Sequence, residues 1–218
     1  MNGKLRRTQR WLWIGLALTL GMLCLAFLLA NLRMRASLIQ PLPVLGTVAD
    51  FRLTNQLGQS VTLADLRGKI WVADIIFTRC AGPCLKMSRQ MKELQEAVPP
   101  NSNARLISLT TDPRYDVPTV LDKYAQKFGA DPNRWSFLTG TQQEIANVAS
   151  NSLKLAAMEK VPPDRESAVD LFIHSTTFVM VDKHGQLRGI FETTGEGVDP
   201  HQVKTQILSA LRRLERER

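Results

Sequence analysis

The chain has 218 residues, of which 44% are hydrophobic and 22% are charged. These values exclude an intrinsically disordered chain and allow one full-sized hydrophobic core. The formal net charge is +8, but six of the 28 basic residues and none of the 20 acidic ones lie within residues 1–45. The rest of the chain is close to neutral, so we expect no nucleic-acid partner.

The first predicted element is a transmembrane helix. No charged residue occurs from Trp11 to Ala30, and at about 1.5 Å per residue this run spans the roughly 30 Å of bilayer hydrocarbon. A cleaved signal peptide is the competing interpretation, but the apolar run is longer than a typical signal segment. Cys24 lies within the run, and we interpret it as a small apolar residue of the anchor.

The basic residues beside this run predict its orientation. Four precede it and two follow it: Lys4, Arg6, Arg7, Arg10, Arg33 and Arg35. Because basic residues are retained on the cytoplasmic side, we expect residues 1–10 to be cytoplasmic and residues 11–32 to form the anchor. The sequence therefore predicts a single-pass protein of the inner (cytoplasmic) membrane, with its domain on the periplasmic or another extracytoplasmic side.

The remainder of the chain has the pattern of a compact domain. Residues 33–44 contain Pro41 and Pro43 and are interpreted as a linker, and residues 45–218 as the domain. A hairpin with its turn at Leu57 and Gly58 comes first. The elements predicted after it are a strand at 70–77, a helix at 85–97, a strand at 104–110, a helix at 117–128, a strand at 135–138, a helix at 141–150, strands at 172–181 and 186–192, and a helix from about His201.

The order of these elements predicts the fold class. Alternating strands and helices indicate a sheet with parallel strands, and the hairpin near the end adds an antiparallel edge. The simplest assembly is an α/β, thioredoxin-like fold with an N-terminal transmembrane helix.

Two of the three cysteines lie in the stretch FTRCAGPC, where three residues separate Cys80 from Cys84. Cys80 follows a predicted strand, and Cys84 falls in the first turn of the next helix, after Pro83 at its first position. An i, i+4 spacing on a helix places Cβ atoms about 5–6 Å apart, whereas a disulfide requires about 3.8 Å. We also expect the positive end of the helix to favour thiolates. The spacing therefore favours metal capture, with a redox-active disulfide between Cys80 and Cys84 still open.

At this point four motifs carry a family resemblance. FTRCAGPC, LTTDPRYD, WSFLTGTQQEIANVA and HSTTFVMVDKHGQLRGIF occur in this order, and together they resemble the Sco (SenC/PrrC) family of membrane-anchored, thioredoxin-like copper proteins. The resemblance covers the chain from the anchor to the last helix. It implies a copper ion, as Cu(I) or Cu(II), held by Cys80, Cys84 and His174. It also implies delivery to the binuclear copper centre of cytochrome c oxidase, with its copper-bearing subunit or another copper protein as the partner.

The positions of the three histidines agree with that ligand set. His184 lies in a predicted turn and His201 at the start of the last helix, whereas His174 lies in a predicted strand among apolar residues. Two soft thiolates and one imidazole suit copper. Zinc also accepts such ligands, but a structural zinc site normally has four protein ligands, and the sequence offers no obvious fourth.

Three functions remain open from the sequence. The favoured one is a copper carrier rather than an enzyme, with no catalytic residue. The alternative is a thiol-disulfide oxidoreductase, in which Cys80 attacks, Cys84 resolves and target cysteines are kept reduced. A peroxidase is suggested by the stretch DLRGK, but the paired cysteines and the distant histidine fit it poorly.

Overall fold

The computed structural model describes residues 2–39, 41–80, 82–159 and 172–217; side chains at 2–10, 12, 35–39, 157–159 and 172–174 are outside that description. Contacts divide the chain into two compact units, residues 1–41 and 42–218. The first unit is one long helix, α1, at Asn2–Ile39. Its segment Trp13–Met34 is long and apolar enough to cross a membrane. The predicted N-terminal apolar helix is therefore confirmed, and it continues through residues 33–39, which the sequence assigned to the linker.

The second unit contains ten strands, five α-helices and one π-helical segment among the described residues. The strands are β1 Gly46–Thr47, β2 Arg52–Asn55, β3 Ser60–Thr62, β4 Ile70–Ile76, β5 Ala104–Thr110, β6 Trp135–Thr139, β7 Ala157–Glu159, β8 Phe172–His174, β9 Thr177–Val181 and β10 Gln186–Glu192. The helices are α2 Leu63–Leu66, α3 Pro83–Ala97, α4 Pro118–Phe128, α5 Gln142–Ala146 and α6 Pro200–Arg216, and the π-helix is Asn147–Ser152.

Eight strands form one mixed sheet in the order β1-β10-β9-β4-β5-β6-β2-β3. The central strands β4, β5 and β6 are parallel to one another. Strand β9 is antiparallel to β4, and β10 is antiparallel to β9. The α/β, thioredoxin-like class predicted from the sequence is therefore confirmed, including the antiparallel hairpin near the end of the chain.

A hydrophobic core lies on each face of this sheet. All seven residues of β4 are buried, and because side chains alternate along a strand, its residues divide between the two cores. Ile70, Val72 and Ile76 pack with residues of α3, α4 and α6. Trp71, Ala73 and Ile75 pack with residues of α2, α5 and the π-helix. This double coverage fixes β4, and it thereby fixes the point where the cysteine loop begins.

The structure also differs from the sequence prediction at the predicted strand 172–181 and at the predicted helix 141–150. The strand predicted at 172–181 is divided into β8 and β9, because Ser175 and Thr176 lie outside both. Strand β8 pairs with β7 in a separate two-stranded sheet among the described residues. The helix predicted at 141–150 begins with a capping box at Thr141 and Glu144, but it continues beyond α5 as a π-helix.

Candidate metal centre

The cysteine loop connects the buried strand β4 to helix α3. A turn follows the strand, in which the backbone N–H of Cys80 donates to the carbonyl of Phe77 at 3.1 Å. Helix α3 then begins after Gly82, with Pro83 in its first turn. Proline fits there because the first N–H groups of a helix have no intrahelical acceptor. The loop therefore ends with Cys84 in the first turn, as the sequence predicted.

The two cysteines lie together under the protein surface. Cys80 is 8% exposed and Cys84 is fully buried. A hydrogen bond to Cys80 raises the pKa of the Cys84 thiol far above its usual range, and burial raises it further. The expectation that the helix N-terminus favours a thiolate at Cys84 is therefore wrong, because the hydrogen bond with Cys80 and burial both raise the pKa of this thiol. The argument from an i, i+4 spacing on a helix is also wrong, because Cys80 lies before the first residue of α3. The two cysteine side chains are nevertheless close enough to hydrogen bond.

A group of buried polar residues lies behind the cysteines, and the sequence analysis missed it. Asp74, in the middle of β4, is fully buried, and its charge contributes to the raised pKa of Cys84 and of Tyr124. Burial is the main cause of the raised Tyr124 pKa. The hydroxyl groups of Tyr124 and Ser88 are 2.9 Å apart. The signal was present in the sequence, because Asp74 is the one charged residue of an otherwise apolar strand.

A second polar network fixes the other side of the cysteine loop. The carboxylate of Asp116 accepts hydrogen bonds from the N–H of Thr78 at 3.1 Å, from its hydroxyl at 2.5 Å and from the hydroxyl of Thr110 at 2.5 Å. Arg79, next to Cys80, pairs with Asp112 at 2.5 Å, and its guanidinium lies 4.2 Å from the ring centre of Tyr115. The end of β5 and the segment after it, which together contain the motif LTTDPRYD, thus contact the residues that lead into Cys80.

The backbone position of His174 is defined by β8. His174 is the last residue of that strand and pairs with Ala157 of β7. The next residue, Ser175, donates its N–H to the carbonyl of Ala156 at 3.0 Å, and its hydroxyl accepts the N–H of Ala156 at 2.7 Å. The His174 side chain lies outside the described residues, so its role as a ligand stays a prediction.

The other two histidines lie as the sequence predicted. His184 is exposed in the turn between β9 and β10, and His201 is exposed in the first turn of α6. Among the side chains that the structure describes, no three His, Cys, Asp or Glu residues converge as a metal site would require. The described part of the candidate site is therefore the pair Cys80 and Cys84, which supplies two soft sulfur donors.

Comparison with known proteins gives a consistent set of relatives. The family model described as SCO1/SenC matches residues 43–212. The SCO1 protein homolog of Bacillus subtilis (strain 168) is 37% identical over 142 residues, which are 64% of this chain and 70% of that protein. An SCO2-like protein of Rickettsia felis is 27% identical over 138 residues, covering 63% of this chain and 65% of the relative.

Solved structures agree with the sequence matches. A SCO1/SenC family lipoprotein from Bacillus anthracis has a TM-score of 0.64 and 26% identity, covering 78% of this chain and 95% of the other. The structure of BsSco, described as having a disulfide switch and as a member of the Sco family of cytochrome c oxidase assembly proteins, has a TM-score of 0.63. It is 31% identical and covers 79% of this chain and 98% of that one. Because the family model spans most of the chain, the protein belongs to the SCO1/SenC family.

Proposed function

We propose that this protein is a membrane-anchored copper carrier that delivers copper to the binuclear copper centre of cytochrome c oxidase. Copper is the cargo, and Cys80, Cys84 and His174 are the ligands. The observation that carries the proposal is the meeting of two buried cysteine side chains at the end of β4. Membership of the SCO1/SenC family supports it, as does the description of BsSco as a cytochrome c oxidase assembly protein.

The donor set fits copper better than the rival metal. Two sulfur donors in an apolar environment hold Cu(I) well, and an added imidazole suits Cu(II). A structural zinc site would require a fourth protein ligand, and the described side chains near the cysteines supply none. Because the buried Cys84 thiol must lose its proton to bind copper, binding releases protons, and we expect it to weaken as pH falls.

A thiol-disulfide oxidoreductase is the second candidate function. The cysteine side chains are close enough to hydrogen bond, so a small rearrangement of the loop would allow a disulfide between Cys80 and Cys84. The 31% identical BsSco is described as having a disulfide switch. In this role the pair would reduce the cysteines of a copper protein, and His174 would have no part.

Copper titration of the full-length protein in detergent tests the carrier function. In a Cys24→Ser background, we expect one Cu(I) per chain, and Cys80→Ser or Cys84→Ser should abolish tight binding. His174→Ala should retain Cu(I) but lose the thiolate-to-Cu(II) charge-transfer absorption, because Cu(II) prefers nitrogen donors and a higher coordination number. The exposed His184→Ala is the matched control. Unchanged copper binding in either cysteine variant would exclude the site, and an unchanged Cu(II) spectrum in His174→Ala would exclude the imidazole ligand.

A further inference from the structure

The proposed copper site, on which this inference rests, combines residues from two separate parts of the domain. Cys84 lies on α3, which packs on the main sheet. His174 lies at the end of β8, which belongs to the separate two-stranded sheet. The main sheet resumes only at Thr177, the first residue of β9. Some contact must therefore fix the segment that leaves His174 relative to the helix that bears Cys84.

Thr193 makes that contact through three hydrogen bonds. It directly follows β10 and is 1% exposed. Its N–H and its hydroxyl both donate to the carbonyl of Thr176, at 2.9 Å and 2.5 Å. Its own carbonyl accepts the side-chain amide of Gln90, on α3, at 3.1 Å. One buried residue thus connects the cysteine helix with the backbone two residues after His174.

The hydroxyl bond has no role in the sheet itself. The β9–β10 ladder ends with the pair Glu192 and Thr177, and the N–H of Thr193 already extends it by one bond to Thr176. The hydroxyl adds a second donor to the same carbonyl. A buried residue whose backbone N–H and side-chain hydroxyl both donate to one carbonyl restricts the direction of that peptide, beyond what strand pairing requires.

The backbone at His174 is therefore held from two directions. On one side, pairing with Ala157 and the two bonds between Ser175 and Ala156 connect it to β7. On the other side, Thr176 is fixed by Thr193 and, through it, by Gln90. Because metal ligands must be held within about 0.5 Å of their productive positions, a hydrogen bond that fixes one ligand-bearing segment affects metal affinity.

We propose that Thr193 is a positioning residue of the copper site, which presents the His174 segment to the cysteine helix through Thr176 and Gln90. It does not contact copper. Its effect is on the oxidation state that depends on the imidazole, so it stabilises bound Cu(II) more than bound Cu(I). Loss of such outer contacts at metal sites typically lowers affinity by about 10–100-fold.

Two substitutions of Thr193 separate its hydroxyl from its shape. In the full-length Cys24→Ser protein in detergent, Thr193→Val retains the shape and removes the hydroxyl donor, whereas Thr193→Ser retains the donor. We expect Thr193→Val to lower Cu(II) affinity about tenfold or more, to change the charge-transfer absorption and to leave Cu(I) affinity within about twofold. Thr193→Ser should bind Cu(II) as the unchanged protein does. Thr194→Val, the same change one residue later, is the matched control.

Gln90→Leu removes the second connection of the network and provides an independent variant if Thr193→Val does not fold. It should also weaken Cu(II) selectively, because the donor to the Thr193 carbonyl is lost. Cu(II) binding that is unchanged in Thr193→Val, or lowered equally in Thr193→Ser, would overturn the proposal even if the melting temperature falls. If His174→Ala also leaves Cu(II) unaffected, the proposed ligand set is what fails. If His174→Ala weakens Cu(II) and Thr193→Val does not, only the role of Thr193 is excluded.

Discussion

At the scale of single residues, Asp116 determines how the cysteine loop begins. Its fully buried carboxylate accepts three hydrogen bonds, two of them from Thr78, which lies two residues before Cys80. Burial raises the pKa of Asp116 above its ordinary value of 3.8, although the Thr78 and Thr110 donors oppose that shift. The three hydrogen bonds replace part of the hydration that the Asp116 carboxylate loses on burial.

The raised pKa of Asp116 predicts a specific pH dependence of stability. Between 3.8 and its folded-state pKa, the folded protein holds a proton on Asp116 that the unfolded chain has lost. Stability contributed by this group therefore falls as pH rises through that range and is constant above it. Because Asp116→Asn cannot titrate, the stability of the unchanged protein relative to this variant should fall with rising pH and then level off.

Urea unfolding of residues 42–218 from about pH 3.5 to 7 measures this difference, because the denaturant midpoint reports the free energy of unfolding. Asp50→Asn is the matched control, since Asp50 is exposed, and it should not show the same decline. The free energy of unfolding of the unchanged protein minus that of Asp116→Asn should fall with rising pH. If this difference stays constant or increases with pH, the pKa of Asp116 is not raised in the folded protein.

The residues of the site differ in how far the sequence could predict them. The position of Cys80 and Cys84 in one short loop after a buried strand predicts that their side chains meet, although Cys80 lies before the helix and the helical spacing does not apply to it. The protonated state of Cys84 was not predictable, because it depends on burial and on the neighbouring sulfur, which only the folded chain defines. Asp74 could have been noticed as a charge in an apolar strand, but the group it forms with Tyr124 depends on how α4 packs.

At the scale of secondary-structure elements, the sequence predicts the elements with a clear apolar pattern well. It does not predict where one strand ends and the next begins when both consist of strand-forming residues. The buried strands β4 and β5 and the helices α3, α4 and α6 were predicted within a few residues, because each has a clear apolar pattern. The division between β8 and β9 was missed, since both have strand-forming residues. Between them, Ser175 and Ala156 exchange two hydrogen bonds, one donated by each N–H, and local sequence does not indicate a partner nineteen residues away.

Arg188 of β10 connects three elements at the start and end of the domain. Its side chain is 7% exposed and pairs at 2.6 Å with both Asp182, in the turn after β9, and Glu217, after α6. It also donates to the carbonyl of Leu42 at 2.6 Å, and the N–H of Leu42 donates to Glu217 at 3.1 Å. The first residue of the domain is thereby joined to its last helix through one guanidinium.

We expect Arg188→Met to lower the free energy of unfolding of residues 42–218 by about 3–5 kcal/mol. The cost arises because Asp182, which is 3% exposed, would be left as a buried charge without its partner. Lys204→Met is the control. It removes the salt bridge between Lys204 and Glu93, which has a similar length of 2.7 Å but joins more exposed side chains. That change should cost less than about 1 kcal/mol. If the two substitutions lower the free energy of unfolding equally, the buried ion pairs of Arg188 stabilise the domain no more than the exposed pair of Lys204 and Glu93.

At the scale of the whole molecule, the protein consists of an N-terminal helix that is long and apolar enough to span a membrane and a domain that contains Cys80 and Cys84. In the proposed function this helix is inserted in a membrane, and the attached domain is then confined to that membrane. A carrier confined in this way meets a membrane-bound partner more often than a soluble carrier at the same concentration would, because its effective concentration is higher. The proposed delivery to an oxidase therefore depends on which side of the membrane the domain occupies.

The charges beside the anchor predict that side. Four basic residues lie within residues 4–10, whereas two, Arg33 and Arg35, follow near the other end of the span Trp13–Met34. Since the more basic flank stays in the cytoplasm, we expect a C-terminal reporter enzyme that works only in the cytoplasm to be silent, and one that works only outside it to be active. Replacing the four N-terminal basic residues with glutamine should weaken that asymmetry and produce a mixed population. Activity of the cytoplasmic reporter on the unchanged chain would place Cys80 and Cys84 on the reducing side and would remove the basis for delivery outside the cytoplasm.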